Sequence, residues 1–444
     1  MTNEKNINLL DFHKIGKSGN PYDIIDDKIA SYIVSHENII IISGKPYIYK
    51  NGVYVKDDNG NILRYLIKSM IIQELITISR INRVYALITT NHKLEVDASE
   101  VNNYPSHWIN FKNGMLDVIT GEMHSHSPSY LSINQIPHRY IENLNYDNSV
   151  FKRFVESRIT DKDTLEMLYE FMGYCMTKDI TFQKFMILYG LGDAGKSTII
   201  KMLTYIIGKN NSCSIALQNL CDRFTTSSLL FKMLNTCGDI PSSALKDTSV
   251  IKQLTGDDDI KAEYKGGEVF FFRNHAKMLF SCNELPVVLD EKSNGFYRRL
   301  LIVRFDKKGE YIQDLNNKIF QESEAEIVIS HLINYLKNAL SRGKLFESGD
   351  SLKEIKALRH DSDTVSAFLE DWGVESKEKR ILRVNLYNYY EEYCREESRT
   401  PLGKTTFFKS MRAKQFIEKK IQGEYYFYGI DVEFHHTVFT PFSN

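Results

Sequence analysis

The sequence predicts a multidomain α/β protein, and three observations support this fold class. A glycine-rich run at residues 190–197 directly follows an apolar stretch at residues 185–189. Residues 184–305 alternate short apolar runs with helical segments, and residues 311–343 are strongly helical up to a terminal glycine. A chain of 444 residues has room for about three domains, each large enough to bury a core.

The composition is that of an ordinary globular protein, with 42% hydrophobic and 25% charged residues. The formal net charge of −1 excludes a global basic field, so contact with nucleic acid requires a local cluster or many copies in an oligomer. The six cysteines are scattered without a C-x-x-C pair, which argues against a zinc ribbon or a disulfide framework. The polar N-terminus and the lack of a membrane-length apolar run predict a cytoplasmic protein with no membrane partner.

Residues 1–149 are expected to form an N-terminal mixed α/β domain. From residue 22 to residue 147, short apolar runs alternate with turn signals such as Asn51-Gly52. The segment 108–118 predicts two strands joined at Asn113-Gly114.

A second domain is expected at residues 150–345. It begins with a helical lead-in at 150–178, continues through the alternating segment 184–305 and ends in a helical lid at 311–343.

The third predicted domain covers residues 346–444. The polar stretch 347–351 is its expected linker, and a compact helical segment from about residue 352 ends in a strand at 425–432.

The run at residues 190–197 matches G-x-x-x-x-G-K-[ST], the phosphate-binding loop, between a predicted strand and a predicted helix. Its glycines let backbone N–H groups close around phosphates at the positive end of the helix. Lys196 can reach the β- and γ-phosphates, and the Ser197 hydroxyl can bind Mg²⁺. The alternative is a glycine-rich turn that only caps a helix. The sequence thus predicts ATP and Mg²⁺ as cofactors, with ATP bound by Gly190, Leu191, Gly192, Asp193, Ala194, Gly195, Lys196, Ser197 and Thr198.

Two later strands end in polar side chains. The half-apolar run 233–238 ends at Asp239, which is typical of a Mg²⁺-binding carboxylate but also of a simple turn. The apolar run 278–282 ends at Asn283, whose amide can orient the attacking water or sense the γ-phosphate, or serve only as a turn residue. We predict Ser197 and Asp239 as metal ligands, and Lys196, Asp239 and Asn283 as catalytic residues.

Basic residues lie on a predicted hairpin and before the last strand of this segment. Alternating residues flank Gly266-Gly267, with Lys265 at the expected two-residue tip and Lys261 on one arm. These lysines can grip DNA phosphates, or they can be the solvated charges of an ordinary hairpin. Arg298 and Arg299 precede an apolar run, where they can supply charge to the γ-phosphate of a neighbouring subunit or form surface ion pairs.

Taken in order, these motifs resemble those of superfamily 3 helicases, in particular the phage, plasmid and poxvirus primase-helicase type. The resemblance rests on five motifs: Walker A at 190–197, Walker B ending at Asp239, the hairpin at 261–272, motif C at Asn283 and the arginine pair. The size and composition look like those of replication initiators of staphylococcal pathogenicity islands. The resemblance implies an AAA+-like P-loop ATPase core and a C-terminal winged-helix-like domain.

The resemblance implies a ring-forming homo-oligomer, a hexamer, with ATP between subunits and an arginine finger supplied in trans. It further implies a DNA helicase and replication initiator that binds an origin, melts it and unwinds duplex DNA, with single- and double-stranded DNA and host replication proteins as partners. Two alternatives remain: an ATPase in which ATP only switches origin binding, and a DNA packaging or partition motor. A motor of that kind would lack the hairpin between Asp239 and Asn283.

The C-terminal segment 404–414 is basic with an apolar stripe, as a DNA recognition helix requires. Its candidate DNA contacts are Lys404, Lys409, Arg412 and Lys414. The alternative is a small domain that only braces the ring or binds protein.

Two departures from the family pattern matter. Gly238 and Ile240 flank Asp239, where many members have two adjacent acids, so the general base stays unassigned. The N-terminal residues show no D-x-D followed by a suitably placed His, so we expect no primase activity.

Overall fold

The structure is a computed structural model that describes residues 8–242, 245, 247–288, 294–397 and 399–432. The side chains of Glu375 and Lys377 are also left undescribed.

Residues 8–149 contain three small antiparallel sheets and three helices, and Ile109, Phe111 and Leu116 of this interval pack into the core of the middle part of the chain. A core of aliphatic side chains joins the helices to the sheet β3-β4-β5. The turn that joins the strands Trp108–Phe111 and Gly114–Asp117 is Lys112-Asn113, one residue before the predicted Asn113-Gly114, because Gly114 already pairs with Phe111. The elements are β1 His13–Ile15, β2 Pro21–Ile24, α1 Asp26–His36, β3 Ile39–Ile42, β4 Lys45–Lys50, β5 Val53–Lys56, α2 Asn61–Ser69, α3 Ile78–Thr89, β6 Trp108–Phe111, β7 Gly114–Asp117 and β8 Met123–His124.

The middle of the chain is built on a five-stranded parallel sheet of order β10-β11-β14-β9-β15. A separate antiparallel hairpin, β12-β13, lies between β11 and β14 in sequence. The elements are α4 Val150–Glu156, α5 Lys162–Tyr174, β9 Phe185–Gly190, α6 Lys196–Ile207, β10 Ser212–Cys213, β11 Leu234–Cys237, α7 Ser249–Leu254, β12 Asp259–Glu263, β13 Val269–Arg273, β14 Lys277–Cys282, β15 Leu300–Phe305, α8 Leu315–Ile319 and α9 Glu322–Arg342.

Both faces of the parallel sheet are covered, which explains its nearly continuous apolar strands. On β9, Met186 and Leu188 face a core shared with α5, α6 and α9. Phe185 and Ile187 face a second core shared with α7 and the β12-β13 hairpin. The side chains that follow these strands are therefore held on a rigid base.

The predicted helical lid at residues 311–343 is divided into α8 and α9. The long helix α9 ends where the sequence predicts, because Gly343 caps it with a φ of 71°, a conformation that favours glycine. The buried side chains of α9 pack against α5 in the same core as the sheet.

The C-terminal part contains four helices and a three-stranded antiparallel sheet of order β16-β18-β17 within residues 349–432, apart from residue 398. Its core is rich in aromatic rings, including Phe368, Tyr390 and Phe407. The elements are α10 Gly349–Ser362, α11 Thr364–Asp371, β16 Gly373–Leu382, α12 Arg383–Glu396, α13 Lys404–Ala413, β17 Ile417–Ile421 and β18 Glu424–Val432.

The predicted linker at 347–351 is instead packed structure, and this expectation was wrong. Ser348 is fully buried and caps α10, while the Ser351 hydroxyl accepts a hydrogen bond from the Ile302 backbone N–H of β15 at 2.9 Å. Polar composition suggested a loop, but both serines satisfy backbone groups at a helix start and a sheet edge. Helix α10 is thereby fixed along β15.

No helix in the described part of the chain is long and apolar enough to cross a membrane.

Candidate functional site

The glycine-rich loop joins the end of β9 to the start of α6, as predicted. Gly190 and Gly195 have φ values of 121° and 101°, in the region that favours glycine. A Cβ at Gly190 would lie 2.1 Å from the carbonyl oxygen of Phe305, and one at Gly195 would lie 2.7 Å from the Phe154 ring. Close packing therefore requires glycine at both positions, and the loop is held against β15 and α4.

Lys196 is turned back over the loop at the first turn of α6. Its ammonium donates hydrogen bonds to the carbonyl oxygens of Gly190 and Leu191 at 2.7 and 2.8 Å, and to Asn283 Oδ1 at 3.0 Å. Only 5% of the residue is exposed, and burial lowers the pKa of Lys196. The charges of Asp239 and Asp193 lie near enough to oppose that shift.

The remaining loop residues differ in exposure. Ala194 is buried, whereas Leu191, Gly192, Asp193 and Ser197 are exposed. Thr198 is partly exposed, and its backbone N–H donates to the Gly195 carbonyl at 3.0 Å. The Ser197 hydroxyl therefore lies accessible at the N-terminus of α6, where backbone N–H groups favour an anion.

Asp239 and Asn283 follow neighbouring parallel strands. Asp239 comes just after β11, is exposed and has a φ of 52°. Its neighbour Ile240 donates a backbone hydrogen bond to Ser281 on β14 at 2.9 Å. Because the carboxyl ends of β11, β14 and β9 meet at one edge, the structure brings Asp239 and Asn283 to the side of the sheet that carries Lys196.

The arginine pair lies at the opposite edge. Strands β15 and β9 pair from Leu300–Phe185 to Phe305–Gly190, so about 17 Å separates the two edges at 3.3 Å per residue. Arg298 and Arg299 precede Leu300 and are therefore far from the glycine-rich loop of their own chain. The structure does not bring them together with Lys196.

The two arginines have different environments. Arg298 is exposed. Arg299 is 9% exposed and donates from Nη1 to the Gly295 carbonyl at 2.8 Å, and burial lowers the pKa of its guanidinium. Arg298 is therefore available to a neighbouring molecule, whereas Arg299 holds the turn before β15.

The predicted hairpin forms, but its turn is longer than expected. Residues 264–268, rather than two glycines, connect β12 to β13. Tyr264 stacks on Phe270 with ring centroids 5.1 Å apart, and its carbonyl accepts from Gly267 N–H at 2.9 Å. Lys265 is exposed in this turn, and Lys261 lies opposite Phe271, which is 65% exposed.

The basic C-terminal helix also forms, over Lys404–Ala413, but two of its four candidate DNA contacts are already paired. Arg412 lies 2.5 Å from Glu418, and Lys414 lies 2.8 Å from Asp363. Lys404 lies over the Tyr387 ring at 5.3 Å, and Lys409 is exposed. In the described structure, Lys409 is therefore more accessible than Lys414.

Sequence reasoning missed residues that support the loop from outside the motif. The Phe305 carbonyl accepts from Leu191 N–H at 2.9 Å. Arg158 packs against Gly195 and donates from Nη2 to the Glu310 carbonyl at 3.2 Å. Neither belongs to a local pattern, so only the register of β15 with β9 and the packing of α4 reveal them.

Three families match separate parts of the chain. The family described as D5 N terminal like matches residues 27–160, and the family described as poxvirus D5 protein-like matches residues 360–441. Between them, a family of unknown function, DUF5906, matches residues 188–299. The central match contains the glycine-rich loop and the arginine pair.

A curated relative is the "Putative helicase L207/L206" of Acanthamoeba polyphaga mimivirus, which is 28% identical over 225 residues. The alignment covers 47% of this chain but only 22% of that protein.

Among solved structures, two apo structures of the NrS-1 C-terminal region each superpose with a TM-score of 0.50, at 10% and 12% identity. The superpositions cover 90% and 91% of this chain and 97% and 98% of theirs. This likeness shows a shared fold. The D5-type matches at both ends and the helicase relative confirm the resemblance drawn from the sequence: the chain is similar to the D5-type superfamily 3 helicases of phages and poxviruses.

Proposed function

We propose that this chain is an ATP-dependent, ring-forming DNA helicase and replication initiator. The observation that carries the proposal is the hydrogen bond from Lys196 to Asn283 Oδ1 at 3.0 Å, at the edge that also carries Asp239. A helicase-type relative and D5-type families support the same reading. The strand order and the glycine-rich loop favour an AAA+-like P-loop core for the expected domain 150–345.

The residues of the loop edge fit ATP with Mg²⁺. The loop presents backbone N–H groups at the start of α6, and Lys196 supplies a cation that now contacts loop carbonyls. Ser197 and Asp239 are both exposed and offer a hydroxyl and a carboxylate, the oxygen donors that Mg²⁺ prefers. Among the described residues, no three His, Cys, Asp or Glu side chains cluster as a metal site, so the remaining Mg²⁺ ligands would be phosphates and water.

The chemistry assigned to this site is phosphoryl transfer to water. Bound Mg²⁺ would neutralise charge on the β- and γ-phosphates. Lys196 would exchange its carbonyl partners for phosphate oxygens, and Asn283 would orient the attacking water. Arg298 would approach from the neighbouring subunit, since about 17 Å separates the edge that it precedes from the edge that carries the loop of its own chain. The general base stays unassigned.

DNA contacts are assigned to two regions. The hairpin presents Lys261, Lys265 and Phe271 to solvent, which suits a single strand through phosphate contacts and base stacking. The helices and sheet of the expected C-terminal domain support a winged-helix-like reading, in which Lys404 and Lys409 contact duplex DNA at an origin. In this reading the hairpin engages the strand inside the ring, while the C-terminal part selects the origin.

The decisive experiment measures ATP hydrolysis with and without single-stranded DNA, and unwinding of a forked duplex. We expect hydrolysis that DNA stimulates, ATP-dependent unwinding, and rings in electron micrographs with an ATP analogue. Origin binding that depends on ATP without hydrolysis-driven unwinding would favour the switch alternative. Hydrolysis that only duplex DNA stimulates, with translocation but no strand separation, would favour a packaging or partition motor.

A further inference from the structure

A second cluster of cations lies in a cleft beside Arg298. The cleft has a volume of about 350 Å³ and lies between the turn before β15 and helix α10. Its walls carry Arg298 and Tyr297 on one side, and Lys356 and Arg359 on the other. Lys356 and Arg359 are three residues apart on α10, so they face the cleft together.

The cleft carries a net positive charge. Its carboxylate, Glu347, is paired with Lys184 at 2.8 Å, and the same ammonium donates to the Arg298 carbonyl at 2.6 Å. Within the described residues, no carboxylate lies in ion-pair distance of Arg298, Lys356 or Arg359. Three exposed cations around one small cavity repel one another, and a polyanion would relieve that repulsion.

The cations are held on a fixed frame. The Ser351 hydroxyl accepts a hydrogen bond from the Ile302 backbone N–H of β15. Arg304 of β15 forms an ion pair with Glu354 of α10 at 3.0 Å. Arg359 is placed over the Tyr297 ring, 5.4 Å from its centroid. This preorganisation reduces the entropy lost when an anion binds.

We propose that this cleft binds the triphosphate of a nucleotide held by the glycine-rich loop of an adjacent copy, with Lys356 and Arg359 acting beside Arg298. The inference rests on the proposed ring-forming ATPase. A heterologous contact that closes a ring places one edge of the sheet against a different surface of the next copy. Among the described residues, the cations of the cleft edge have no carboxylate partner, and the loop edge would present phosphates. The cavity suits a phosphate chain and is too small for a DNA duplex.

The test compares Lys356→Ala and Arg359→Ala with Lys353→Ala, a control on the same helix whose lysine pairs with Asp350. Hydrolysis of ATP and binding of a fluorescent ATP analogue are measured on each full-length protein. We expect hydrolysis to fall about 5- to 20-fold in the two cleft variants with nucleotide affinity changed by less than about 3-fold, and the control to match wild type. Arg359→Lys keeps the charge and should retain most of the activity, which separates charge from folding.

Mixed rings give a second readout. Subunits with Lys356→Ala keep an intact loop, and subunits with Lys196→Ala keep an intact cleft, so mixing the two should restore part of the hydrolysis. Hydrolysis within about 2-fold of wild type in both cleft variants overturns the inference, while loss of activity in Lys196→Ala would still support the ATPase proposal. Normal hydrolysis with weakened DNA binding would assign the cleft to a DNA strand. A wild-type protein without ATPase activity would remove the proposed function itself.

Discussion

The two edges of the parallel sheet differ in how far one chain completes them. At the loop edge, Lys196 is buried and already makes three hydrogen bonds, one of them to Asn283 on a neighbouring strand. At the opposite edge, Arg298 is exposed beside a cleft lined by cations. Among the described residues, no carboxylate lies within ion-pair distance of these cations. A buried cation with fixed partners marks a site assembled within the chain. Under the proposed function, the exposed Arg298 would act on a nucleotide bound by a neighbouring copy.

The largest effect is expected for Lys196→Ala. Removal of the ammonium leaves phosphate charge uncompensated in the transition state, which costs about 10²–10³ in rate. The control is Lys201→Ala, an exposed lysine on the same helix α6. Steady-state ATP hydrolysis should be lost in the first variant and retained in the second, and equal activity in both would remove the loop from the mechanism.

Arg298→Ala should reduce hydrolysis by about 10²-fold, at the low end for a transition-state donor, because Lys356 and Arg359 share its charge. Affinity for a fluorescent ATP analogue should stay close to wild type, since Arg298 is far from the loop of its own chain. Mixing this variant with excess Lys196→Ala subunits should restore activity. Rings proven to be mixed that show no restoration would argue that both residues act within one subunit.

The variant Arg299→Ala distinguishes the structural role expected for Arg299 from the role in a neighbouring subunit expected for Arg298. Arg299 is buried and bonded to the Gly295 carbonyl, so its loss should lower the thermal midpoint of unfolding rather than act on a neighbour. Complementation by Lys196→Ala subunits should therefore be weak. A stable Arg299→Ala protein that is inactive alone and active in mixed rings would reverse the assignment to Arg298.

The sequence predicted most of the loop edge because each of its parts is local. The sequence alone is enough to recognise glycines near a strand end, a lysine at a helix start and polar residues after apolar runs. The helix Lys404–Ala413 was equally readable, because its basic and apolar residues have helical spacing.

Other features depend on tertiary contacts that no local pattern encodes. Ser348 and Ser351 suggested a linker, yet they cap a helix and a strand edge. Lys356 and Arg359 are typical solvated residues of a helix until packing of α10 along β15 places them beside Arg298. The pairing of Lys414 with Asp363 likewise joins residues 51 positions apart, so sequence alone favoured a DNA contact.

Lys265→Ala tests whether the hairpin, an exposed element like the arginine edge, also acts on an external partner. Loss of one phosphate contact should weaken binding to all single strands by the same several-fold factor. It should also lower the slope of log affinity against log salt concentration by about 1. Basal ATP hydrolysis should remain, while DNA stimulation and unwinding should be lost. Glu268→Ala in the same turn is the control of opposite charge, and it should not weaken binding. Normal unwinding by Lys265→Ala would make the hairpin an ordinary solvated turn.

The smallest effects separate Lys409 from Lys414, an exposed lysine from one that is already paired. Lys409→Ala should weaken the binding of origin DNA, as measured by gel shift, without changing the midpoint of thermal unfolding. Lys414→Ala should instead cost about 1 kcal/mol of stability, because it removes the partner of Asp363.

Acid titration gives the sign of the Lys414 effect. Burial raises the pKa of Asp363, but hydrogen bonds from Lys414 and Ser366 outweigh burial, so the folded pKa lies below the ordinary value of 3.8. The pair therefore stabilises the protein at pH values above the ordinary pKa of 3.8. Its contribution is lost as the pH falls through the lowered pKa of the folded state. The stability difference between wild type and Lys414→Ala should accordingly be full at neutral pH and shrink in acid, as measured by urea unfolding. A difference that is independent of pH, together with a weakened gel shift, would return Lys414 to the DNA-binding set.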